Sequence, residues 1–100
     1  MNIYEGRRKR NGTAEVFLNG KKFDPKPSQK VFNHSPDGFE FSYSGSGPAQ
    51  LALAIMLEET GDPKKAVELH QKFKREVIAT APKNGWAFAG EFVQNWIKEQ

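Results

Sequence analysis

Gly38-Phe39-Glu40-Phe41-Ser42-Tyr43-Ser44-Gly45-Ser46-Gly47-Pro48-Ala49-Gln50-Leu51-Ala52-Leu53-Ala54-Ile55-Met56-Leu57 is the stretch on which the fold turns. Phe39, Phe41 and Tyr43 alternate with Glu40, Ser42 and Ser44, the period of two expected of a half-buried strand. An aromatic strand is therefore expected over 38–44. Gly45-Ser46-Gly47 breaks it, and Pro48 opens a helix, since Pro lacks an N–H that would be unpaired at the first helical position. Ser46 or Gly47 is the N-cap. With Gly47 as cap, Gln50 occupies the third position and can reach back to the cap backbone. Leu51 to Leu57 is apolar on every side, so this helix is expected at the centre of the core.

Working outward, Asn11-Gly12 and Asn19-Gly20 are hairpin signals, because type I′ turns need positive φ at both central residues. Residues 3–10, 13–18 and 21–23 then read as a β-meander. Asp24-Pro25-Lys26-Pro27-Ser28 ends it, because Pro cannot donate to a ladder. Residues 30–33 read as a short extended piece. After the central helix, Thr60-Gly61 supplies a C-terminal glycine and Asp62-Pro63 a cap and first position for the next helix. Ala66, Leu69, Phe73 and Val77 recur at helical spacing, so that helix runs to about residue 80. Residues 86–88 read as a strand or a loop, and a last helix over 90–98 carries Phe92, Val93, Trp96 and Ile97 on one stripe. The expected fold is one α+β domain over 1–100, a small antiparallel sheet of meander plus aromatic strand, packed by three helices.

The chain has 100 residues, no Cys, 12% aromatic residues and a net charge of +3. That length suits one domain, and the aromatic content disfavours disorder. The absence of Cys excludes disulfide scaffolds and thiolate chemistry. No secretory leader or membrane span is read, so a soluble, cytoplasmic protein is expected, in the host cytoplasm if phage-encoded. The charge is uneven. Residues 1–30 carry eight Lys or Arg against three acids, whereas residues 31–60 carry four acids and no Lys or Arg.

The strand-to-helix connection is where chemistry is expected. The first helical turn leaves backbone N–H groups unpaired, and the helix dipole places about half a positive charge there. Gly45 and Gly47 let an anion approach the backbone, and Ser44 and Ser46 offer hydroxyls, an arrangement common to phosphate sites. Tyr43 and Phe41 border the loop with stacking surface for a base. Gln50 lies in the first turn, and His34 lines the loop or bonds the Ser35-Pro36-Asp37-Gly38 turn. Positive charge must come from elsewhere, with Arg7, Arg8, Lys72 and Lys74 as candidates. The loop is not a Walker or dinucleotide motif: no Gly-Lys-Ser follows, and Gln50 stands where a third glycine would. The plain alternative is a tight connection with no ligand.

A catalytic His34–Ser35 pair is disfavoured, because sequence neighbours rarely meet as base and nucleophile. His70 is read as flanking the core. Glu40 is read as a solvated carboxylate with an Arg partner as the alternative, and Glu58-Glu59 as solvated surface. With two His and no ligand motif, neither a metal nor a cofactor is expected.

The string Asn33-His34-Ser35-Pro36-x-Gly38-Phe39-Glu40, an aromatic, x-Tyr43-x-Gly45-Ser46-Gly47-Pro48-Ala49-Gln50-Leu51-Ala52-Leu53-Ala54 resembles a small family of uncharacterised proteins from bacteria, phages and plasmids, classed as a domain of unknown function. The resemblance extends to Tyr4-x-Gly6-Arg7, to Phe73-Lys74 and to the positions of Trp86 and Trp96. Phe41 and Ser42 depart from it, where Trp and Gly are common. It implies a phage or mobile-element setting and, by analogy of size, an anti-defence role. The function expected is non-enzymatic binding of an anionic ligand, a nucleotide or nucleotide signal, by Tyr43, Ser44, Gly45, Ser46, Gly47, Gln50 and His34 with Arg7 or Arg8. The alternative is an anti-CRISPR-like inhibitor that binds a host defence protein or nucleic acid through the basic N-terminal third. No membrane partner is expected, and the Trp96 stripe is compatible with a homodimer.

Overall fold

The computed structural model describes all of Met1–Gln100. Strands β1 (Ile3–Arg8), β2 (Ala14–Leu18) and β3 (Lys21–Lys22) form the meander, followed by helices α1 (Lys26–Val31), α2 (Ser46–Thr60) and α3 (Pro63–Phe73). A π-helical turn (Lys74–Ile78) continues α3, and strand β4 (Gly85–Ala89) runs directly into α4 (Gly90–Lys98). The fold is α+β, an antiparallel sheet of order β3-β2-β1-β4 packed by helices.

The hairpins form where the Asn-Gly pairs lie. Asn19 and Gly20 both have positive φ, 54° and 82°, as a type I′ turn requires. At Asn11-Gly12 only Gly12 does, at 90°, and its N–H returns to the Lys9 carbonyl. That is a longer turn ending in a left-handed residue, so β1 stops at Arg8 rather than running to residue 10.

Four expectations change. The fourth strand is Gly85–Ala89, paired with β1 from Ile3↔Ala89 to Arg7↔Gly85. Residues 38–44 are irregular. Their alternation marks anchoring of a loop. Phe39 packs on Phe23, with ring centroids 5.3 Å apart, and Phe41 is fully buried edge-on to Trp86. Ser42 turns the chain at φ 72° and gives its N–H to the Ile78 carbonyl. Residues 26–31, read as a turn followed by an extended piece, form α1, because Pro27 suits a first turn and the Asp24 carboxylate accepts from the Lys26 N–H. Finally, α2 starts at Ser46 with Gly45 as N-cap, two residues before Pro48.

Tyr4, Val16 and the aromatic rings of β4 face the helices, while Arg7 and Ala87 face solvent on the other side of the sheet. Within α2, Leu51, Ala52, Leu53, Ile55 and Met56 are fully buried, so the helix is central as its all-round apolarity requires. It packs against α1, α3, α4 and the π-helical turn. Trp96 stacks edge-on to Phe73 at 5.0 Å and donates to Glu76. Val93 and Trp96 of the α4 stripe thus face the core of their own chain, while Phe92 stays 47% exposed. Glu59 is likewise drawn inward: its carboxylate accepts from the Tyr4 hydroxyl, Asn2 and Gln94. Burial and then this carboxylate push the Tyr4 phenol far above its ordinary value.

Candidate functional site

Residues 44–50 turn sharply. Gly47 is buried where a Cβ would stand 2.6 Å from the Glu40 Cβ, so glycine here permits close approach of two backbone segments. Tyr43 is half exposed and lies over Gly45. Ser44 and Ser46 are exposed and Gly45 partly so. The cleft beside the loop, of about 400 Å³, is lined by Thr13, Asp37, Glu40, Tyr43, Ser46 and Gly47. Two carboxylates thus border the place where an anion was expected.

Arg8 alone of the N-terminal cluster reaches this loop, and each of its three nitrogens already donates within the protein. It bonds the Lys83 carbonyl at 2.8 Å, the Gly12 and Phe41 carbonyls at 3.1 Å, and Glu40 at 3.1 Å, with its guanidinium 4.4 Å over the Phe41 ring. Glu40 is therefore the paired carboxylate of the two readings given above. Arg7 does not join the loop. One residue along a strand reverses the face, so it lies on the outer face over Phe17 and pairs with Glu5. Lys22 pairs there with Glu15, so acids interrupt the basic surface of the N-terminal third.

Gln50 does not reach back to its own helix cap. It is fully buried and binds in four directions. Its carbonyl accepts from the His34 and Ser35 N–H groups at 2.7 and 3.0 Å, and its amide donates to Ser28 Oγ and the Phe32 carbonyl. It therefore ties the 32–35 segment and α1 to the start of α2.

That tie places His34 away from the Ser/Gly loop and against α3. Its Nε2 lies 2.9 Å from Nε2 of His70. His70 is buried, and its Nδ1 bonds the Val67 carbonyl at 2.7 Å. His34 stacks on Phe32, with centroids 4.4 Å apart, and Phe32 is 55% exposed. Lys74, at i+4 from His70, shares its helix face as the π-helical turn begins. Such turns occur frequently at functional sites. Burial, then His70 and Lys74, hold the His34 imidazole below its ordinary value. Burial also lowers His70, with Lys74 adding to it and the Val67 bond opposing it. None of the three side chains forms an ion pair, and no third His, Asp or Glu joins the imidazoles as a metal ligand.

His70 was read only as a core neighbour, and Phe32 was not singled out. Helical spacing places His70 and Lys74 together. Only the Gln50 tie, a contact 16 residues long, brings His34 to them.

The chain belongs to a family of unknown function, DUF6166, whose model matches residues 4–99. No match is found among curated proteins or solved structures.

Proposed function

We propose that this is a non-enzymatic binding protein for a phosphate-bearing ligand of nucleotide class, with the phosphate received by His34 and Lys74 rather than by the Ser/Gly loop. The observation that carries this reading is the His34–His70 contact beside Lys74, with no carboxylate paired to any of the three. Groups that can carry positive charge rarely converge without a counter-charge, because each raises the cost of charging the others. An anion relieves that cost. Phe32, with one face on His34 and about half its surface in solvent, offers a platform for a base. Phe32 is exposed and His34 and Lys74 are partly so, which leaves them accessible to a phosphate group approaching from solvent. The Ser/Gly loop supports the reading less well, since Asp37 and Glu40 line its cleft and Arg8 is consumed. The phage or mobile-element setting implied by the sequence resemblance would fit this activity: a small protein that holds a signalling nucleotide removes it from a host response.

Calorimetry and thermal shift against nucleoside monophosphates and cyclic dinucleotides test the reading. Lys74→Glu should abolish binding while Ser46→Ala binds as the unmodified protein does. The reverse pattern would return the ligand to the loop.

A further inference from the structure

Resting on the binding reading above, we propose that ligand capture at this site takes up one proton, on Nδ1 of His34, and that the site thereby selects a dianionic terminal phosphate. The argument starts from the Val67 carbonyl, which can only accept. Nδ1 of His70 therefore carries a hydrogen. A neutral imidazole has one N–H, so Nε2 of His70 is a lone pair. The hydrogen in the 2.9 Å contact then belongs to Nε2 of His34. This leaves Nδ1 of neutral His34 as a lone pair, and it has no partner in the protein.

A lone pair repels an anionic oxygen. A proton from solvent placed on Nδ1 converts it to a donor and leaves both existing hydrogen bonds intact. A second proton, on Nε2 of His70, would set N–H against N–H and break the contact, so the pair accepts one proton and not two. The protonated pair and Lys74 then carry two positive charges. A phosphate monoester dianion neutralises both, and a diester does not.

The charged and titratable groups acting on the pair are the two histidines themselves and Lys74, on α3 and the π-helical turn. Gln50 on α2 and Phe32 before His34 are neutral, and no carboxylate bears on either ring. Without a ligand, burial and Lys74 favour the neutral pair, so the proton arrives with the anion.

Sulfate is the cleanest first probe, because it stays dianionic across the range. The full chain is titrated with sodium sulfate, inorganic phosphate and adenosine monophosphate at constant ionic strength, in two buffers of different protonation enthalpy. Near pH 7.5 uptake should approach one proton per sulfate, and affinity should rise about tenfold per pH unit on acidification until His34 is charged in the free protein. His34→Asn should lose the proton uptake. Should that variant unfold, ring-nitrogen NMR of the unmodified protein reads the same event, as Nδ1 of His34 changing from acceptor to donor on saturation with sulfate. Binding without proton uptake or pH dependence, or an unchanged Nδ1, overturns the proton coupling and leaves the binding reading standing. No binding of any of the three anions between about pH 5.5 and 8 overturns both.

Discussion

Gln50 is the residue whose loss should be felt most widely. Its amide satisfies two N–H groups, one hydroxyl and one carbonyl, all drawn from residues 28–35. Each buried group left unpaired costs about 1–3 kcal/mol. Gln50→Ala should lower stability by about 3 kcal/mol in urea unfolding, and a loss below about 1 kcal/mol would show that water replaces the amide. Adjacent arginines should behave oppositely. Arg8→Ala strands Glu40 and three carbonyls and should cost about 2–3 kcal/mol. Arg7→Ala removes an exposed pair with Glu5 and should change stability by no more than about 0.5 kcal/mol. The sequence already marks His34, Glu40, Gly47 and Gln50 as unusual. It does not disclose that Gln50 turns inward, because the groups it satisfies lie 15 to 22 residues away. Short-range spacing carries no information about which distant backbone groups lack partners.

Among the elements, α2 was legible in its body and its C-terminal end, though not in its first turn, which begins at Ser46 rather than Pro48. Its apolarity places it in the centre, Gly61 closes it at φ 64°, and Asp62 caps the next helix by accepting from the Lys64 and Lys65 N–H groups. Asp62→Ala should cost about 1 kcal/mol in thermal or urea unfolding, the ordinary worth of such a cap. Residues 38–44 were misread because alternating aromatic and polar side chains serve a loop as well as a strand. Phe39 and Phe41 both point into the protein, and positive φ at Ser42 breaks the pleat between them and Tyr43. β4 was undecided because Gly-Trp-Ala-Phe-Ala has no polar residue to show a period. The loop's packing on α2 gives a further expectation. Gly47→Ala presses a methyl into Glu40 and should cost about 1–3 kcal/mol. An unchanged unfolding midpoint would mean that the loop yields.

For the molecule as a whole, the His34–His70 contact joins the loop after α1 to α3, so its protonation acts on the entire cooperative unit. Both imidazoles titrate below 6.5 in the folded protein. The unfolded chain, titrating near 6.5, therefore binds protons first as pH falls. Stability should be flat above about pH 7.5, decline as pH drops through 6.5 toward the folded values, and level off below them. Thermal midpoints across pH 8 to 5 check this, and His70→Asn should flatten the part of the decline due to the pair. The sheet has a different kind of consequence. β1 sits between β2, the next strand, and β4, whose pairing residues lie some 80 positions further on. On the ribosome the meander can close early, but its first strand stays open on one edge until residues 85–89 emerge. The growing chain therefore carries an unpaired edge through most of its synthesis, and Arg7 with the β1–β2 turn's Lys9 and Arg10 supplies the like charges that keep such edges from pairing with one another.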